Sequence, residues 1–557
     1  MSGAESSGPS WSQVAPRRRA TAWPDYQTVG GEARAHRFTA DGQDDFAGYA
    51  ADAFAAFGAL ESNVLYRFVM GLENEPTQMP LEQVHGLGDP FATALLKQGR
   101  FPTTLDDVLS ALDSAQVVPS QQVYVISESG QISPTALLER DVRFAIIRGP
   151  DSNTADLMIS TSAVAGPEEA FLQLAAWDDS AEVFNYYMRI GGTWVWAGDS
   201  NLALAPGSRG QGCFDSHVNG SVVMKELKRP WIHWQSMKAT LQLAADDPLR
   251  SNPLYTSASG AEKLELIIRP TVRRWTMARL QRATASSQLE HLPWVARHLC
   301  TTTTVNLASS DQESTVVAGG GQTELLLPMG FWLNSDLLLD VQLNIPANFD
   351  PPRAPSALYA ASLTRYEFAL VEGSFRAPGD TFFAFLVPEP AFEDTVVVLE
   401  AVRMGLLSPK FVASVAMIDF PNPVYSPARA QLMTHLPESV SLASGLDISQ
   451  ALAATIVAAA ASTPVDSPER AFAANWQLGP SEWQPAFAKR IQDFIAAVAS
   501  RASTAQGFDD YTRLAESRRR EFRQARLFEF ALTLPTTNIP ADAPLLQMNA
   551  NGTVSPK

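Results

Sequence analysis

The segment from Gly210 to Trp234, GQGCFDSHVNGSVVMKELKRPWIHW, holds one of the chain's two cysteines, two of its seven histidines and two of its twelve tryptophans. Imidazole is the commonest metal ligand and the side chain that most readily moves a proton near neutral pH. Gly207, Gly210, Gly212 and Gly220 permit the close backbone approach that a binding loop needs. His217 is therefore the first candidate, as an iron or other metal ligand or as a general base whose tautomer Asp215 or Asp419 would set. If the chain after Gly220 is helical, Glu226 and His233 lie seven residues apart on one face, and a His217, Glu226, His233 metal set could converge. Pro230 opposes this by breaking the helix and re-aiming His233. Each histidine also has a plain structural role open to it, His217 in a turn and His233 packed between Trp231 and Trp234.

Cys213-Phe-Asp-Ser-His217 resembles the C-x-x-C-H signature of covalent haem attachment over five residues, with Ser216 where the second thiol should stand. A second thioether is thus impossible, and haem or a mononuclear metal bound without covalent attachment is the version that survives. Gly207-Ser-Arg-Gly210-Gln-Gly212 suggests an anion cradle in which Arg209, Gly210 and Gly212, with Trp231 as a wall, hold a phosphate-bearing cofactor, though the lysine of a P-loop is missing. His291, His298 and Cys300 form a second cluster on a helix begun by Pro293, with the spacing of a metal or nucleophile site or of two core helical turns. Asp419, between an apolar run and a rigid turn, fits a catalytic acid or base and equally a turn cap. The sequence lacks G-x-S-x-G, H-E-x-x-H, a Walker A loop, the kinase set and an EF-hand loop.

A chain of 557 residues is long enough for several domains, and 46% hydrophobic with 18% charged residues is a globular composition. The net charge of -17 argues against nucleic acid and anionic membranes as partners, which clustered Lys and Arg would bind. Arg17-Arg18-Arg19 is followed by polar sequence rather than an export signal's apolar stretch, so it reads as a solvated tail. Two cysteines make no disulfide framework, and a cytoplasmic location is expected. Ala451 to Ala461, the longest apolar run, is shorter than the roughly 20 residues of a spanning helix.

These residues must be positioned by an α+β, multi-domain fold of antiparallel meanders with flanking helices and a largely helical C-terminal part. The expected divisions are a tail over 1–40, a helical then mixed unit over 41–165, an aromatic meander with the His/Trp segment over 166–250, a mixed sheet and helix unit over 251–440, a helical region over 441–535 and an irregular tail over 536–557. Helical pattern starts near Asp44 and continues through LYRFVMGL, and a further helix is predicted over 104–112. VYVISES and VRFAIIRG read as strands, and FLQLAAW, EVFNYYM and TWVWAG as a tight-turned meander with Trp194 and Trp196 on one face. A helix is expected over 235–250, then strands at KLELIIRP, TTTTVNLAS, TELLLPM, SDLLLDVQLNIP and TFFAFLV. Ser-Pro pairs at 408, 426 and 467 predict helix starts, and longer helices follow over 481–503 and 509–524.

The function expected is that of a cytoplasmic enzyme acting on a small molecule, an iron- or haem-dependent oxidoreductase centred on His217. The alternatives are a metal-free enzyme with His217 as general base and a non-enzymatic assembly subunit that uses its tryptophans as contacts.

Overall fold

The computed structural model describes residues 60–127, 142–163, 172–209, 211–215, 217, 219–222, 241–290, 292–310, 312–341, 343, 351–372, 375–380, 382–524 and 535–557. Glu226, Trp231, His233, Gly210 and residues 44–59 of the predicted helical pattern lie outside them, as do His291 and residues 235–240 of the predicted 235–250 helix. The fold is α+β and multi-domain, with an eight-stranded sheet, several two-stranded sheets and a largely helical C-terminal segment.

The sheet runs in the order β2-β1-β8-β7-β6-β5-β4-β3. Its strands are β1 (Leu65–Arg67), β2 (Thr77–Gln78), β3 (Ser120–Ser127), β4 (Val142–Gly149), β5 (Leu157–Ser162), β6 (Leu172–Asp178), β7 (Val183–Ile190) and β8 (Thr193–Asp199). From β3 to β8 it is an antiparallel meander, of which the alternation and the Gly191-Gly192 turn predict the β6 to β8 part. The helical expectation for LYRFVMGL is overturned: Leu65 pairs in parallel with Trp194, and an apolar run buried at 65, 66, 68, 69 and 70 serves a strand and the turn after it.

Both faces of β7 are buried. Trp194 packs edge-on to Phe91, with Tyr187 against the same ring at 5.1 Å between centroids. Trp196 shares that face and donates from Nε1 to Asn185 at 2.9 Å. Between these rings Asp89 is wholly buried and accepts hydrogen bonds from Tyr187 Oη at 2.6 Å and Asn185 Nδ2 at 2.9 Å. Desolvation outweighs those bonds and pushes its carboxyl up to about 6. Because the folded state holds this proton to higher pH than the unfolded chain, stability should fall as pH rises from about 4 to 6, by up to about 3 kcal/mol, and then level off. Urea unfolding across that range should show the fall in the natural protein and a flatter profile in Asp89→Asn.

Helix α1 (Leu105–Ser114) begins where expected, with Thr104 Oγ1 accepting from the Asp107 N–H. The strand expected at KLELIIRP is instead the start of the 23-residue helix α2 (Ala261–Ala283). Lys-Leu-Glu-Leu alternates over four residues, but Leu264, Ile267, Ile268, Thr271, Val272 and Trp275 are buried at helical spacing while Leu266 is 72% exposed. Pro270 sits inside this helix and marked no boundary. Helix α4 (Phe392–Arg403) packs on both α2 and α3 (Pro293–Cys300).

SDLLLDVQLNIP is also corrected, because Ser335–Asp340 is helical, with Asn334 Oδ1 capping the Leu337 N–H. Residues 241–250 carry no α-helix and lead into a 3-10 turn at Pro248–Ser251. The TFFAFLV strand begins only at Val387, since Asp380 takes the N–H groups of Phe385 and Leu386 that a ladder would use. Strands do form in TTTTVNLAS, at Val305–Ala308, and in TELLLPM, at Glu324–Leu326.

All three Ser-Pro signals start helices, at Pro409–Ala416, Pro427–Gln431 and Pro468–Gln477, each with its serine hydroxyl accepting from a first-turn N–H. Ser408→Ala should lower stability by about 1 kcal/mol, seen as a reduced urea midpoint with unchanged slope. Trp483–Ala502 is the first long C-terminal helix and α5 (Ala505–Gln524) the second. The tail beyond Pro535 is more ordered than expected: Leu546–Met548 and Val554–Pro556 form a hairpin tied to α5 through Leu546 N–H to Ser517 Oγ (2.8 Å) and Tyr511 Oη to the Gly552 carbonyl (2.9 Å).

Two hydrophobic cores result. One gathers the sheet, α1 and most of α2, the other α3, part of α4 and the C-terminal helices. α5 carries an unusually polar buried face in the second. Arg518 donates to the Phe331 and Pro421 carbonyls and lies 4.6 Å from the Phe331 ring centroid, while Arg519 pairs with Glu516 at 2.8 Å.

Candidate active site

His217 lies at the end of a glycine-bearing turn beside β7, its ring centroid 5.0 Å from that of Tyr186. Its Nδ1 is 2.9 Å from the Ser221 carbonyl, so Nδ1 carries the proton and Nε2 the lone pair of the neutral ring. Asp215 closes the 3-10 turn Gly212–Asp215, and its side chain is outside the described set. Asp419 does not pair with His217. Its two carboxylate oxygens accept from Asn422 Nδ2 and Ser426 Oγ, each at 2.6 Å, in a turn where its own φ is +50°. That is the turn-capping role. Cys213 and Cys300 are free, and burial pushes both thiols up to about 12, so neither is a thiolate at neutral pH. Among the described residues no three His, Cys, Asp or Glu side chains are grouped to hold a metal, and Glu226 and His233 lie outside that set.

The structure instead builds a compact constellation on the second histidine cluster. His298, on the last turn of α3, is buried and places Nδ1 2.7 Å from Asp394 Oδ1 at the start of α4. The other oxygen of Asp394 accepts from the Thr303 N–H at 3.1 Å, and Thr303 Oγ1 donates to Oδ1. Asn219 Nδ2 donates to Thr303 Oγ1 at 3.1 Å, and the Asn219 carbonyl accepts from Trp275 Nε1 at 2.9 Å. The glycine-bearing turn that carries His217 is thus tied through Asn219 to the His298–Asp394 pair.

A carboxylate fixed by three donors can orient an imidazole and fix its tautomer. With Nδ1–H given to Asp394, Nε2 holds the lone pair, and it has no hydrogen-bond partner among the described residues. Burial lowers the pKa of His298, Asp394 pulls it back up, and the Arg279 and Arg297 charges lower it again. The net result is a neutral ring, which is the form a base needs.

Two cavities meet at His298. The larger, of about 40 Å³, is lined by His298, Asp394, Thr302, Thr304, Asn334 and Arg429 among others. Thr304 Oγ1 is buried there without a hydrogen-bond partner, an orphan that a water or a substrate oxygen would satisfy. The smaller, of about 10 Å³, is lined by His298 with Asn219, Ser221, Thr276, Arg279 and Trp294.

No family model, curated protein or solved structure matches the chain. The site therefore rests on its own geometry. Sequence reading singled out His298 but not Asp394, Thr303 or Arg279. Asp394 lies 96 residues from its histidine, in FEDTVVVLEAVR, whose Glu-Asp pair gives no spacing signal. Arg279 was hidden because α2 was read as starting with a strand.

Proposed function

We propose that the chain is a metal-free enzyme that uses His298 as general base, oriented by Asp394, on a small molecule bound beside the two cavities. The observation that carries this is the buried His298–Asp394 bond of 2.7 Å, in a ring whose other nitrogen has no described partner and which borders a cavity of mixed polar and apolar lining. In this reading Nε2 takes a proton from the substrate or from a water lodged near Thr304, and Asp394 stabilises the imidazolium that forms. The general-base alternative framed on His217 thereby moves to His298, with His217 supporting the turn that presents Asn219. Both cysteines being free supports a reducing compartment. Among the described residues no helix is long and apolar enough to cross a membrane.

The test is consumption of small molecules from a mixed metabolite extract, followed by mass spectrometry, with wild type against His298→Gln. Equal consumption by both removes the proposal, as does a wild type that consumes nothing.

A second reading keeps an iron or haem oxidoreductase at His217. What favours it is the Nδ1 contact to the Ser221 carbonyl, an arrangement that orients metal-binding histidines through their other nitrogen. An as-purified absorption spectrum with metal analysis decides it, and a colourless, metal-free protein rejects it.

A further inference from the structure

Five arginines lie along α2, and four have a carboxylate partner: Arg269 with Glu265 (2.8 Å), Arg273 with Glu400 (2.8 Å), Arg274 with Asp156 (2.6 Å) and Arg282 with Glu182 (3.1 Å). The fifth, Arg279, makes no ion pair or hydrogen bond among the described residues. Its guanidinium lies flat over Trp294, with Cζ 3.5 Å from the ring centroid. That stacking fixes the plane of the fork without using its N–H donors. It faces the small cavity where Asn219, Ser221, Thr276 and His298 also lie. Glu393, which borders the same cavity, has a partner of its own.

Arg297, Arg209 and Arg282 all press on Arg279, and burial together with their charge holds its guanidinium down to about 9. Of these only Arg279 lines the cavity, where Glu393 is the other acidic or basic side chain besides His298, and Arg282 is paired with Glu182. A largely buried guanidinium with no carboxylate partner among the described residues is costly alone and is relieved by an anion. Arg209, from the Gly207–Gly212 segment whose composition suggested an anion cradle, has a partner of its own and does not line this cavity.

We propose that this cavity is the anion subsite of the proposed active site, in which Arg279, stacked on Trp294, grips one oxygen of a carboxylate or phosphate group carried by the substrate. The cavity of about 10 Å³ admits one oxygen-sized atom, and the rest of the anion extends past the half-buried guanidinium. His298 borders the same cavity, so the anchored substrate presents the atoms next to its anionic group to the imidazole. The substrate class becomes small carboxylates or phosphate esters. This rests on the general-base reading for its chemistry but not for its binding.

The experiment is calorimetric titration of the full chain with inorganic phosphate and, separately, acetate, at ionic strength held constant with sodium chloride. Wild type should bind at least one anion saturably, and the tighter of the two names the group recognised. Arg279→Met should weaken binding about tenfold or more, whereas Arg282→Gln and Arg365→Gln, at residues that do not line the cavity, should stay within about threefold. If Arg279→Met does not fold, Arg279→Lys decides: it keeps the charge without the fork and should bind several-fold more weakly. Saturable binding by neither anion, or equal affinity in the Arg279 variant that folds, overturns the subsite. Binding lost in Arg279→Met while His298→Gln still consumes substrate would instead reject the catalytic reading and leave the anion site standing.

Discussion

His298→Gln is expected to lower turnover by about 10²- to 10⁴-fold while leaving the fold intact, because it removes the imidazole nitrogen whose lone pair is neither protonated nor bonded among the described residues. Glutamine is close to imidazole in size and can still donate to Asp394, so the buried carboxylate keeps a partner and stability should change little. Asp394→Asn should also be severe, since an amide can donate to Nδ1, turn the proton to Nε2 and leave the base without its lone pair. The pH profile separates these effects from simple misfolding. Burial lowers the imidazole pKa, so the acid limb of wild-type turnover should lie below the ordinary histidine value of about 6.5. Rate should be flat above that limb and fall as the ring gains a proton. A wild-type limb at or above the ordinary value, or the same limb surviving in His298→Gln, would show that another group is the base.

Arg518→Ala should cost about 3 to 4 kcal/mol of stability, read as a lower urea midpoint. The side chain is buried and donates to the Phe331 and Pro421 carbonyls, with Asn422 Oδ1 at 3.4 Å. Truncation strands two carbonyls in the core and opens a void beside Phe331. Burial holds this guanidinium down to about 10, but it remains charged at neutral pH. Arg518→Lys should recover part of the loss, because an ammonium supplies charge and donors without the planar fork. Arg365 offers a comparison, since its bond to Asp509 is similar at 2.7 Å but its side chain is 65% exposed. Arg365→Ala should cost no more than about 1 kcal/mol. Equal midpoints for the two alanine variants would show that the polar network of α5 is not what holds the second core.

Which parts were legible follows from how local each signal is. Turn glycines and period-two alternation lie within a few residues of the strands they delimit, and β3, β4 and β6 to β8 were read with little error, while β5 was missed. A serine hydroxyl reaches only the first helical turn, so Ser408, Ser426 and Ser467 announced their helices. The beginning of α2 failed because four alternating residues mimic a strand, and the helical repeat shows only when read across Pro270 to Trp275. Ser335–Asp340 failed for a related reason: three successive leucines fit both periods, and Leu339 is 48% exposed as a helix surface allows. At α5 the helix was legible but its buried polar face was not, because its arginines donate to carbonyls brought from distant loops while Glu516 and Glu521 accept from Arg519 and Lys557. At the site, rarity of residue type pointed to the turn at 217–222, and that turn does reach the constellation through Asn219. Asp394 and Thr303 are ordinary residues whose meaning comes from tertiary approach to His298.

Ala278 belongs to the sheet's core and Leu280 to the core of the C-terminal helices, with Arg279 between them. A single rod of backbone hydrogen bonds is therefore a shared member of both halves, and neither half can melt without fraying it. The unfolding free energy of this chain is accordingly a joint property, in which a weakness on one side is felt by the other through the torsional stiffness of one helix. Arg279 sits at the point along that rod where the two halves hand over to each other, so a molecule that grips it clamps the joint.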